Sequence, residues 1–143
     1  MAAFELALRE GAEAIELDVH LSRDGVPVVI HDARLGRTTS GTGWVAEHTA
    51  AALRRLDAGS WFNRRYPSRA RARYAGLRIP LLREVLAWAR ERHCQVLVEI
   101  KEGGDTYAGV EAKVLDEIYR AQAASLVTVI SFDFASCSLS VFN

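Results

Sequence analysis

Residues 81–101 read LLREVLAWARERHCQVLVEIK, and the change of period inside this stretch decides the fold. Leu82, Val85, Leu86 and Ala89 recur at helical spacing. From Cys94 the period drops to two, which predicts a strand over 94–101. Val96, Val98 and Ile100 share one face of it, and Leu97, Glu99 and Lys101 the other. Downstream, DTYAGVEAKVLDEIYRAQAA aligns Tyr107, Val110, Val114 and Ile118 on a second helix, and LVTVISF predicts a strand over 126–132. Upstream, Ala3, Phe4, Ala7 and Leu8 make the stripe of a helix ended by Gly11, and a strand follows over Ala14–Leu21. Strands that alternate with helices imply a parallel sheet with crossover helices, so the fold class is α/β.

The first strand opens the run IELDVHLSRDGVPVVIHD, residues 15–32. Ile15, Leu17, Val19 and Leu21 share one face; Glu16, Asp18 and His20 share the other. SRDG reads as a hairpin turn, with Asp24 and Gly25 supplying positive backbone angles. VPVVIHD is then a return strand, with Pro27 near its start where a missing donor matters least. Beyond it the pattern loosens. A short helix is expected from near Thr49, and GSWFNRRYPSRARARYAGLRIP, residues 59–80, reads as a long loop.

The chain has 143 residues, room for one domain with a real core. Its composition is that of an ordinary globular protein, half hydrophobic and a quarter charged. Lysine plus arginine equals aspartate plus glutamate, so net charge makes no case for a nucleic-acid or membrane partner. Cys94 and Cys137 lack metal-type spacing and do not form a disulfide scaffold. No apolar run reaches transmembrane length and the first residues are not a signal peptide, an absence that does not bear on location; the cytoplasm is taken only as a default.

Both well-formed strands carry charge towards their carboxyl ends, where parallel α/β folds place their ligands. Glu16, Asp18 and Glu99 are thereby delivered to one mouth, with His31 and Lys101 beside them. Residues two apart on a strand are about 6.6 Å apart at the backbone, so their carboxylates reach a common ion. A hard divalent cation relieves their repulsion, which favours Mg²⁺ or Ca²⁺ over zinc. Such a metal polarises a phosphoryl or carbonyl oxygen. His31 is then placed to move protons and Lys101 to neutralise an anionic oxygen. The plainer alternatives are surface carboxylates, a hairpin histidine and a solvated lysine. His20, further along the strand, is read as non-catalytic, and His48 and His93 as structural residues at helix ends. RRYPSRARARY is read as a solvated arginine-rich loop rather than a nucleic-acid site. Trp44, Trp61 and Phe62 either cap the mouth or pack the irregular segment.

The run AFELALREGAEAIELDVHLSRDGVPVVIHDARLGRTTSGTGWV, then LDAGSWF, IPLLREVL, LVEIK and ISF, resembles the glycerophosphodiester phosphodiesterase family in order over nearly the whole chain. The resemblance implies a (β/α)₈ barrel of the phospholipase C-like type, with a small insertion after the second barrel strand, here roughly residues 33–80. It implies hydrolysis of a small glycerophosphodiester to glycerol 3-phosphate and an alcohol, with one divalent cation. ELD would make Glu16 and Asp18 metal ligands and EIK would make Glu99 the third. HD would make His31 a catalytic acid/base, and Lys101 would lie near the phosphate. No nucleic-acid partner and no stable membrane insertion are implied.

The family's first strand ends in His-Arg-Gly and is followed by a Glu-Asn-Thr turn; neither is present, and CSLSVFN does not read as the next barrel helix. A full barrel takes about 250 residues. The expectation is a single, incomplete domain spanning 1–143, poorly soluble or oligomeric and inactive by itself. Rival readings are a lipase of the sphingomyelinase D kind and a catalytically dead fragment.

Overall fold

The computed structural model describes residues 1–101 and 109–131. Its one sheet has the order β2-β1-β3-β4, with β1 Ala14–Leu21, β2 Pro27–Val29, β3 Gln95–Ile100 and β4 Val127–Ser131. β1, β3 and β4 are parallel. β2 runs antiparallel along the end of β1, from Val19 opposite Val29 to Leu21 opposite Pro27. The helices are α1 Ala2–Arg9, α2 Ala50–Leu53, α3 Ser60–Arg65, α4 Leu82–Arg92 and α5 Val110–Arg120.

Alternation along the strands builds the main core. Ile15, Leu17 and Val19 of β1 and Val96 and Val98 of β3 pack in one cluster with Val85 and Leu86 of α4 and Val114 and Ile118 of α5. Phe4 and Leu8 of α1 pack against the same cluster. Trp88 closes it beside Phe4, with ring centroids 5.9 Å apart, and donates its indole N–H to Glu5 Oε1 at 2.7 Å. The helical stripe read at 82–89 is buried as expected. Tyr107, Phe132 and Cys137 lie outside the described residues.

Three local expectations need correction. In the hairpin only Gly25 has a positive φ, +72°. Asp24 instead spends its carboxylate on the Ser22 hydroxyl at 2.7 Å and the Ala50 N–H at 2.8 Å, tying the turn to α2. The return strand is only three residues long. Its outer edge is occupied by the end of the irregular segment, where Val29 N–H donates to the Pro80 carbonyl and Val28 bridges Leu81.

The third correction is that residues 59–80 are not one long loop. They form α3 and 3₁₀ turns at Pro67–Arg69 and Ala72–Tyr74. Asp57 starts α3 by accepting the Gly59 and Ser60 N–H groups at 2.8 and 2.9 Å, with the Ser60 hydroxyl as a third donor. Those donors hold its carboxyl well below the usual range. A second core forms from Val28, Leu35, Val45, Leu53 and Leu81, which Ile79 joins from the end of this segment. Thr49 caps α2, its hydroxyl accepting the Ala52 N–H at 3.2 Å. Trp61 donates to the Ala58 carbonyl and meets Phe62 edge-on, so these two rings pack the segment. Among the described residues, no helix is long and apolar enough to cross a membrane.

Candidate active site

The register between β1 and β3 builds the site. Asp18 lies directly opposite Glu99, and Glu16 precedes Asp18 by one repeat on the same face. One oxygen from each of the three carboxylates falls within 4.8 Å of the others. Asp18 and Glu99 are each 9% exposed, while Glu16 is open to solvent. Burial, and then the charges of Asp18 and Glu99, push the Glu16 carboxyl above its ordinary pKa. Lys101, one repeat past Glu99, sets its ammonium 2.8 Å from Asp18 Oδ1 and 2.6 Å from Glu99 Oε1. Burial works to lower the Lys101 pKa, but these two partners outweigh it and the net direction is upward.

This donor set fits a hard cation. Oxygens on one ion lie at most twice the metal–oxygen distance apart, about 4.2 Å for Mg²⁺ and about 5 Å for Ca²⁺. Three oxygens within 4.8 Å therefore come close to the span of one such ion, which small side-chain rotations would complete. The protein has an acidic cluster able to hold one divalent ion.

His31 follows β2 and lines the same open cleft, of about 700 Å³, as Glu99 and Lys101. Its Nδ1 lies 2.8 Å from Asp32 Oδ1, a geometry in which Nδ1–H donates to the carboxylate and Nε2 keeps its lone pair. Arg37 forks onto Asp32, Nη2 to Oδ1 at 2.7 Å and Nε to Oδ2. That fork, with the His31 contact, pulls the Asp32 carboxyl down to about 2. His20, 3% exposed, donates Nε2–H to the His31 carbonyl at 3.1 Å; burial lowers its pKa and keeps it neutral. His93 ends α4 with φ of +52°, a structural role.

Glu16 and Asp18 thus converge on Glu99, while Glu99, Lys101 and His31 share the cleft with Asp32, which Arg37 holds. The only sequence signal for Asp32 and Arg37 was an aspartate next to the histidine with an arginine five residues on. The depressed Asp32 pKa fixes the sign of a pH effect. Ionised Asp32 stabilises the fold fully above the ordinary pKa near 4, and that contribution is lost as pH falls towards about 2. Asp32→Asn should cost about 1 kcal/mol near neutrality, the value of a partly exposed pair, and flatten this acid limb. Melting temperatures between pH 2 and 6 check it; an unchanged limb would show that the Asp32–Arg37 pair does not hold the loop.

A family model described as the glycerophosphoryl diester phosphodiesterase family matches residues 1–141. The chain belongs to that family. A Bacillus subtilis glycerophosphodiester phosphodiesterase is 43% identical over 118 residues, 82% of this chain and 40% of that one. One from Caldanaerobacter subterraneus is 39% identical over 136 residues, 95% of this chain and 53% of that one. The chain spans about half the length of the curated relatives it matches. Among solved structures, a glycerophosphodiester phosphodiesterase from Agrobacterium tumefaciens superposes with a TM-score of 0.79 at 36% identity, over 96% of this chain and 53% of that one. An Oleispira antarctica phosphodiesterase in complex with sn-glycerol-3-phosphate gives 0.84 at 29% identity, over the same shares. In this glycerophosphoryl diester phosphodiesterase family chain, the sheet and its helices are part of a (β/α)₈ barrel.

Proposed function

We propose that the domain hydrolyses glycerophosphodiesters to glycerol 3-phosphate and an alcohol, and that residues 1–143 form a single, incomplete domain of this kind with an insertion over roughly 33–80. The observation that carries the reading is the convergence of Glu16, Asp18 and Glu99 within 4.8 Å beside a cleft shared with His31. Those three carboxylates would hold Mg²⁺ or Ca²⁺, which when bound polarises the phosphodiester. Lys101 neutralises a second phosphoryl oxygen. His31 would act as the acid in its doubly protonated form, giving the Nε2 proton to the leaving alkoxide and returning to the neutral ring with Nδ1–H on Asp32; Asp32, held by Arg37, orients the ring and stabilises the imidazolium. The names of the relatives support glycerophosphodiester cleavage over the sphingomyelinase D kind.

The test follows glycerol 3-phosphate release from glycerophosphocholine by the protein carrying this sequence, with Mg²⁺, with Ca²⁺ and with chelator. Release that depends on the cation supports the reading. Cleavage of sphingomyelin instead moves the chain to the sphingomyelinase D kind. Inactivity on both, with no binding of either cation, leaves a dead fragment.

A further inference from the structure

The net charge of zero hides an uneven distribution. Residues 58–80 contain six arginines and no acidic residue, so the rest of the chain carries the matching excess of acid. α3 and the two 3₁₀ turns, with Arg71 between them, carry five of these arginines in one lobe. Phe62 seats Tyr66 and Tyr74 at ring separations of 5.0 and 5.7 Å. The Asn63 amide clamps Arg71, donating to its carbonyl at 2.9 Å and accepting its N–H at 3.0 Å.

Arg64, Arg65, Arg69, Arg71 and Arg73 stand exposed on this lobe. Among the described residues none of them has a carboxylate partner, whereas Arg37, Arg54, Arg92 and Arg120 all do. Arg65 and Arg73 lie over the rings of Tyr66 and Tyr74 at 5.3 and 5.5 Å, and Tyr66 is itself 40% exposed. Tyr66 also lies within electrostatic range of Arg37. The lobe therefore stands beside the Asp32–Arg37 wall of the cleft.

We propose that this lobe docks the protein on an anionic phospholipid surface, with the arginines on headgroup phosphates and Tyr66 at the interface. Unpaired arginines draw a protein to an anionic leaflet, and a tyrosine with a wet hydroxyl and an apolar ring sits at headgroup depth. A nucleic-acid duplex fits less well, because α3 has six residues and the lobe offers no helix long enough to enter a groove. The docked lobe would hold the neighbouring cleft at the surface without inserting a segment. The orientation of the cleft rests on the phosphodiesterase reading; the docking itself does not.

The test is co-sedimentation of the full chain with phosphatidylcholine vesicles containing about one-third phosphatidylglycerol, against phosphatidylcholine alone, in about 0.1 M salt. Binding to the anionic vesicles should be more than about tenfold stronger and be lost near 0.5 M salt. Arg65→Gln, Arg69→Gln and Arg73→Gln together should weaken it about 100-fold, and Arg69→Gln alone about fivefold. Arg23→Gln, Arg83→Gln and Arg120→Gln, which remove the same charge elsewhere, should change it by less than about threefold. Equal binding to both vesicles, equal loss in the two triple variants, or binding to duplex DNA in place of vesicles overturns the proposal. Because no turnover is measured, that failure leaves the phosphodiesterase reading standing, and a failed activity assay leaves docking standing.

Discussion

Glu16→Gln is expected to shift stability in opposite directions with and without divalent cation. Without it, ionised Glu16 is an uncompensated third anion: Lys101 already bridges Asp18 and Glu99, and the Glu16 pKa is raised. A carboxyl raised in the folded state destabilises the fold as pH climbs through its pKa. The neutral amide removes that penalty, a gain of about 0.5–1 kcal/mol at this exposed position in chelator near neutrality. With cation the sign reverses. An ion at 100 times its dissociation constant stabilises a native state by about 2.7 kcal/mol, and losing one of three charged ligands removes most of that. The variant should melt above wild type in chelator, below it in millimolar Mg²⁺ or Ca²⁺, and show glycerophosphodiester cleavage lowered by at least about 10³-fold. A variant that kept the full cation-dependent rise would exclude Glu16 from the site.

Gly59→Ala should be the most damaging glycine-to-alanine change among the described residues. A Cβ at residue 59 would stand 1.7 Å from the Tyr74 carbonyl oxygen, 2.8 Å from its carbon and 3.0 Å from Leu77 Cβ. Those neighbours are fixed from both sides: Ala58 N–H donates to the Leu77 carbonyl at 2.6 Å, and Tyr74 packs edge-on against Phe62. Relief requires the two backbones to part, at an expected cost of at least about 3 kcal/mol. Gly41→Ala makes the control, because its Cβ meets the movable end of Leu56 at 2.6 Å and should cost about 1 kcal/mol. Chemical denaturation gives both values, and limited proteolysis between residues 64 and 75 shows whether the damage starts in the arginine lobe. A Gly59→Ala protein as stable as wild type would rule out the close approach.

What the sequence disclosed follows from the range of the interactions involved. β1 was legible to the residue because its alternation is local and runs for eight positions. The α4 stripe was legible for the same reason. The two strands also placed Glu16, Asp18 and Glu99 at one mouth, since parallel pairing leaves few registers that bury both apolar faces. The segment 59–80 was misread because its order comes from elsewhere. Asp57, outside the segment, ties down its start, and its end is anchored where Ile79 joins Val28, Leu53 and Leu81. Asp32 and Arg37 were not assigned roles because their pairing spans an irregular turn with no period to read.

The salt bridges of Lys101 change what a cation means to this protein. The ammonium already bridges Asp18 and Glu99 and offsets half of their charge, so the two strands need no metal to lie side by side. An arriving ion finds an assembled cradle and must evict the resident charge, which subtracts from its affinity. A metal bound there would be an exchangeable visitor drawn from the surrounding pool rather than a rivet set during folding. The cradle would stand assembled before any ion arrived.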